Sequence, residues 1–168
     1  MTGLAAVMTE NLPILQVILP MLTAPLCLLL RHRRVTWLLA MLVSWTTLGI
    51  SWLLFQQVRA DGPISYFAGG WEPPWGIELR LEPTNALLLL VVSGISSVVL
   101  AAAPRSFDSE ISHHRHHYLY AAFLLCMTGL LGMASAGDAF NVFVFLEISS
   151  LSSYSLIAMG SNRRALTS

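Results

Sequence analysis

The chain has 168 residues, 55% of them hydrophobic and only 11% charged, with a mean hydropathy of +0.68. That is too apolar for a soluble domain of this length, and a lipid bilayer is the natural solvent. Nine arginines balance nine acids and lysine is absent, so no charge excess points to nucleic acid or to an acidic partner.

A hydrocarbon core takes about 20 apolar residues of helix. Segments of that length fall at roughly 11 to 30, 35 to 56, 84 to 103, 118 to 137 and 139 to 160. They predict an all-α, polytopic transmembrane bundle of about five spans, one membrane domain over residues 1–168. The first ten residues carry no basic segment and the arginines follow the first apolar stretch, the reverse of a secretory signal, so that stretch is expected to stay as an anchor. Pro20 is expected to bend it. Cys27 and Cys126 lie inside apolar runs and read as small buried hydrophobes.

Arg31-His32-Arg33-Arg34 follows the first span, Arg105 and Arg115 follow the third, and Arg163 and Arg164 follow the fifth. The positive-inside rule makes 31–34 and 104–117 cytoplasmic loops and the C-terminus cytoplasmic. The connection 57–83, acidic on balance and carrying Tyr66, Phe67, Trp71 and Trp75, is then external, and the N-terminus lies outside. Within it, Ile77 to Glu82 alternates apolar and charged residues, and Gly69-Gly70 with Pro73-Pro74 supplies turn chemistry. A short external β-hairpin is expected, with an irregular loop on the bilayer surface as the alternative.

In the run His113-His114-Arg115-His116-His117, His113 and His117 stand at i, i+4, a zinc-binding spacing if the segment is helical. Lacking an obvious third ligand, the run reads as solvated loop and no metal ligand is assigned. Nucleophile elbows, phosphate loops, Cys-x-x-Cys pairs and haem attachment motifs are absent, and no cofactor is expected.

An ionised side chain at the centre of a span costs about 3 kcal/mol on insertion scales, so an intramembrane acid is a functional candidate. Glu147 is the one acid deep within a span, about 13 Å from Asp138 along the helix. Asp138 itself stands at the helix boundary as an N-cap. Ser150 and Tyr154, at i+3 and i+7, share the stripe of Glu147 and are candidates for a proton relay. Ser149, Ser152 and Ser153 fall on the other side, where small residues let helices approach. Glu147 has two readings: a protonated carboxyl that only adheres to a neighbouring helix, or a group that moves a proton. The expense of such residues favours the second. No basic residue lies inside a span, so Glu147 either rests protonated or finds its counter-charge elsewhere.

The stretch GDAFNVFVFLEISSLSSYSLIAMGSNRRALTS resembles the fifth-helix region of the antiporter-like subunits shared by Mrp-type monovalent cation/proton antiporters and respiratory complex I. The segments GGWEPPWGIELRLEPTNALLLL and ENLPILQVILPMLTAPL are similar to the D-type subunits of the Mrp branch. The resemblance implies a role for Glu147 in a proton pathway beside a lysine of a later helix, which has no counterpart here. It also implies partner membrane subunits, protons and a sodium or potassium ion as cargo, a plasma-membrane location, an external sheet element matching residues 77–82, and a truncated or split form of a longer subunit. Two other readings stay open: a proton-pumping subunit of a complex I-type NADH:quinone oxidoreductase, and a non-transporting membrane scaffold.

Overall fold

The computed structural model of the chain describes residues 11–30, 32–70, 76–107 and 116–159. Five helices in it are long and apolar enough to cross a membrane. They are α1 (Leu12–Leu30), α2 (Arg33–Asp61), α3 (Pro83–Phe107), α4 (His116–Ser135) and α5 (Ala139–Ala158). Between α2 and α3 stand two short strands, β1 (Ile64–Phe67) and β2 (Glu78–Leu81), with a 3-10 turn at Ala68–Gly70 after β1. Trp71, Pro73, Pro74, Trp75, His113, His114, Arg115, Arg163 and Arg164 lie outside the described residues.

The expected spans recur with shifted ends. α2 starts earlier and runs on to Asp61, where Gly62 takes a positive φ of 91° and its N–H closes on the Val58 carbonyl at 3.1 Å. α3 continues through Pro104, and α4 begins at His116 instead of 118. The expectation that His116 and His117 sit in a solvated loop is therefore corrected: both belong to the first turn of α4, and His116 is fully buried. The aromatic and apolar run from Tyr118 onward extends the helix backwards and draws its first turn against the bundle. α1 runs unbroken through Pro20 and Pro25, which remove the usual helical donors to the carbonyls of Gln16 and Met21.

One core cluster, at the end where α1 finishes and α2 begins, joins Ala24, Cys27, Ala40, Leu100, Ala103, Leu119, Tyr120 and Leu124. The other, towards the strands, joins Leu54, Val58, Leu81, Ala86, Leu89, Met127, Leu131 and Ala134. Between them the interior is polar. Ser44 on α2 shares a 3.0 Å hydrogen bond with Ser97 on α3, Ser93 donates to Ser51 at 3.0 Å, and the Gln16 amide of α1 donates to Ser51 at 2.5 Å. All five side chains are fully buried. Hydroxyls between apolar spans supply interhelical attraction that apolar faces lack in lipid, about 0.6 kcal/mol per bond.

The hairpin is realised. β1 and β2 pair antiparallel with Ile64 opposite Leu81 and Tyr66 opposite Leu79. The alternation noted at 77–82 has a structural cause: Leu79 and Leu81 point inward and are buried, while Arg80 faces out and pairs with Glu82 at 3.0 Å. Hydrogen bonds tie the hairpin to the helices: the Asn85 side chain of α3 donates to the Arg80 carbonyl at 3.0 Å. Tyr66 donates to Asn11, one residue before α1, and Gly137 donates its N–H to the Glu78 carbonyl at 2.9 Å. The hairpin thus holds the turn from which α5 departs.

Candidate functional site

α5 begins at an Asp138 cap, as expected. Asp138 is extended (φ −134°, ψ 155°), and one carboxylate oxygen accepts the Asn141 N–H at 2.9 Å while the other accepts from the Asn141 side chain. One of the orphan donors of the first turn is thereby satisfied, and the carboxylate lies at the positive end of the helix dipole. From this anchored start Glu147 is about 13 Å along the axis, near the middle of a helix about 30 Å long.

The side of α5 that meets α4 is set by small residues. A Cβ added to Gly129 would stand 2.6 Å from the Ser149 nitrogen and 2.7 Å from the Phe145 carbonyl oxygen, and one added to Gly132 would strike the Phe145 ring. The two backbones approach because α4 carries glycine there. Ser149 and Ser152 are buried at this contact, and the Cys126 sulfur lies 3.4 Å from the Ser153 hydroxyl and 3.8 Å from that of Ser149. The packing role assigned to these serines agrees with the geometry. Cys126 is only half-buried, unlike Cys27, because it sits at the edge of the α4–α5 seam.

With the serines facing in, Glu147 faces out. Its side chain is exposed on the opposite face of α5, among Phe143, Val144, Leu146 and Leu151, which are exposed too. The burial expected for Glu147 is therefore not provided by this chain; depth along a span and burial within protein are separate properties. Ser150 is half-buried and Tyr154 is 68% exposed, on the same side of the helix as the carboxyl. No hydrogen bond joins the three among the described residues, and Tyr154 is two turns, about 10 Å, away. Glu147 also has no basic partner among the described residues. Arg33 and Arg34 open α2, Arg59 lies in its last turn over the Phe55 ring at 5.7 Å, and Arg80 is in β2. No cluster of three metal-ligating side chains occurs among the described residues.

The buried network of Gln16, Ser51 and Ser93 was not anticipated. Its signal was present in Ser44, Thr47 and Ser51 at i, i+3, i+7 and in Ser93 and Ser97 at i, i+4, one hydroxyl-bearing stripe on each of two helices. Within it the Gln16 carbonyl oxygen Oε1 is buried and unpartnered.

No protein-family model matches the chain. Over 160 residues it is 39% identical to NADH-quinone oxidoreductase subunit N of Desulforudis audaxviator (strain MP104C), a match that takes in 93% of this chain and 32% of that protein. It is 31% identical over 159 residues to the D-type subunit of the probable K(+)/H(+) antiporter of Rhizobium meliloti (strain 1021), covering 90% and 29%. The figure is 29% over 155 residues for the D-type subunit of the Na(+)/H(+) antiporter of Bacillus subtilis (strain 168), covering 92% and 31%. The chain is homologous to the antiporter-like membrane subunits. It spans about a third of the length of these relatives.

Solved structures agree. The chain matches the membrane-bound sulfane sulfur reductase, an archaeal respiratory membrane complex, with a TM-score of 0.84 and 29% identity, over 94% of this chain and 32% of that one. It matches the Mrp complex from Dietzia sp. DQ12-45-1b with a TM-score of 0.82 and 25% identity, over 99% and 30%. Both are multi-subunit membrane complexes.

Proposed function

We propose that this chain contributes five helices of a membrane subunit of a monovalent cation (Na+ or K+)/proton antiporter, with Glu147 as the carboxyl that takes up and releases the proton. The observation that carries this reading is the position of Glu147, midway along α5, on an apolar face that the described helices leave open. A carboxylate facing hydrocarbon there would be costly. Either the carboxyl rests protonated there, or protein or a hydrated path covers that face; exchange between such surroundings changes its proton affinity and lets it take up and release a proton. The antiporter relatives supply the cations and the antiport reaction. Ser150 and Tyr154 extend the polar stripe towards the far end of α5, with water bridging the gaps between them.

The partners in this reading are further membrane subunits of a hetero-oligomeric complex in the plasma membrane. The strand end of the bundle faces outward with the N-terminus, and the end bearing Arg33 and Arg34 faces the cytoplasm, as the positive-inside rule requires. The test is a Glu147→Gln change in the assembled complex: exchange of cation for protons in vesicles is lost while insertion is unchanged. Exchange at the wild-type rate would remove Glu147 from the pathway.

A second reading is favoured by one specific observation, the 39% identity to an oxidoreductase membrane subunit. In it the same carboxyl serves proton pumping in an NADH-quinone oxidoreductase. Co-purification with flavin and iron-sulfur subunits separates the two, since the antiporter reading expects neither.

A further inference from the structure

Where α1 ends and α2 begins, an open cleft of about 480 Å3 is lined by Arg33, Arg34, Trp37 and Leu38 of α2, Pro104 of α3 and Tyr120 of α4. Three helix ends meet there, so the cleft lies at one boundary of the bundle. Its walls are tied to the bundle: the Trp37 indole donates to the Leu100 carbonyl at 2.9 Å, and Tyr120 is fully buried. Two guanidinium groups stand at its mouth, Arg34 exposed and Arg33 half-buried. Guanidinium is the side chain best suited to phosphate, since its fork of donors matches two oxygens at once.

A second hollow, about 470 Å3, lies deeper and is lined by Trp45, Leu48, Gly49 and Trp52 of α2 with Leu90 and Gly94 of α3. It contains no charged residue. A Cβ on Gly49 would meet nothing within 4 Å, and one on Gly94 would meet only Leu48 at 3.9 Å, so the glycines leave real space between the tryptophans. The two hollows are in line. Arg34, Leu38, Trp45, Gly49 and Trp52 recur at helical spacing on one face of α2, and Leu90, Gly94 and Pro104 do so on α3. Leu38, Leu42, Trp45 and Trp52 along the path are all exposed. Along the helix Trp45, Gly49 and Trp52 stand about 16, 22 and 27 Å from Arg34, so an acyl chain that fills one leaflet of a core about 30 Å thick enters the hollow at Trp45 and, fully extended, reaches Gly49.

We infer that the α2–α3 groove is a site for one anionic glycerophospholipid, its phosphate held by Arg33 and Arg34 at the bundle end and one acyl chain laid past Leu38 into the hollow between Trp45 and Trp52. The charged cleft alone would suit any phosphate, and the apolar hollow alone any hydrocarbon. A molecule with a phosphate at one end and a chain of leaflet length at the other satisfies both. Basic clefts between helices at the membrane boundary recognise anionic headgroups by this chemistry. The lipid site stands whether or not the chain takes part in transport.

The test uses the full chain purified in mild detergent, with bound lipid counted by native mass spectrometry and the stripped chain then titrated with dioleoylphosphatidylglycerol, dioleoylphosphatidylcholine or inorganic phosphate. One phosphatidylglycerol per chain is expected, preferred over phosphatidylcholine on the order of tenfold. Arg33→Gln with Arg34→Gln should abolish that preference. Gly49→Leu, which enters open space and leaves the arginines intact, should keep the headgroup preference and weaken binding of the long-chain lipid. Equal retention of both lipids, or a Gly49→Leu chain that binds phosphatidylglycerol as the parent does, would overturn the site. Inorganic phosphate displacing the lipid at equal concentration would also overturn it, leaving a free-anion cleft.

Discussion

Gly129 of α4 and Ser149 of α5 meet backbone to backbone: there is no room between them for a single methyl group, with the Ser149 nitrogen 2.6 Å from where it would stand. Both obstructing atoms nearest Gly129 belong to the main chain of α5, so they cannot swing aside as a side chain would. Gly129→Ala is therefore expected to push α5 away from α4 and to cost about 1–3 kcal/mol, the usual range for overpacking. Unfolding of the chain in bicelles, followed by tryptophan fluorescence, measures this. Unchanged stability would mean that the seam is looser than its geometry states.

That seam also decides where Glu147 points. If the carboxyl carries the proton, Glu147→Asp should retain measurable exchange, since the acid remains about one methylene further back, whereas Glu147→Gln should lower it at least tenfold, as removal of a proton-transfer group does. Ser150→Ala and Tyr154→Phe, which are not hydrogen-bonded to the carboxyl among the described residues, should have smaller effects than Glu147→Gln. Proton/cation exchange in inverted vesicles ranks the four. Tyr154→Phe matching Glu147→Gln would make the tyrosine hydroxyl as necessary to the proton path as the carboxyl.

In the buried polar network the two ends are unequal. Gln16 makes one hydrogen bond and leaves Oε1 unpartnered, while Ser51 accepts from both Gln16 and Ser93. Gln16→Met keeps the bulk and removes a buried unsatisfied oxygen, so it should be neutral or stabilising. Ser51→Ala strands the Gln16 amide, while the Ser93 hydroxyl keeps the Leu89 carbonyl at 2.8 Å, and should cost about 1 kcal/mol. The same bicelle assay compares them, and a larger loss for Gln16→Met than for Ser51→Ala would reverse the assignment.

The turn before α5 is open to a similar experiment. Asp138→Ala removes the acceptor for the Asn141 N–H and should cost about 1 kcal/mol, with Asp138→Asn restoring most of it. Hydrogen exchange confined to the first turn of α5 reads the effect directly. Protection equal to the parent in Asp138→Ala would show that the hairpin contact through Gly137 and Glu78 holds the turn by itself.

Thiol labelling tests the orientation of the bundle. A cysteine replacing Phe67, exposed on the hairpin, should react with a membrane-impermeant thiol reagent added outside cells, and one replacing Arg34 should not. Cys27 and Cys126, buried and half-buried within spans, provide the background. The opposite pattern would invert the proposed topology.

Much of this was legible from the residues in order. Apolar runs of bilayer length announced five helices, because a span must satisfy its backbone hydrogen bonds internally whatever its neighbours are. Alternation from Ile77 to Glu82 announced a strand with one buried face, and Asp138 announced a helix start, because both are local patterns with local causes. The depth of Glu147 followed from counting residues along α5.

The linear pattern contained direction only in part: it marked Ser149, Ser152 and Ser153 as the packing side of α5 but not which helix they meet, nor that the opposite side stays open. A membrane helix is apolar on the side that meets lipid and on the side that meets protein, so α5 carries no hydrophobic stripe to say which way it turns. Gly129 and Gly132, on the neighbouring α4, made that choice by admitting Ser149 and Phe145, and so turned Glu147, Ser150 and Tyr154 to the open side. The same holds for His116, expected in solvent and found buried, and for Gln16 and Ser51, which only meet across two helices. The chain by itself determined how many spans there are and how deep the acid lies; tertiary contact between small residues decided what the acid faces.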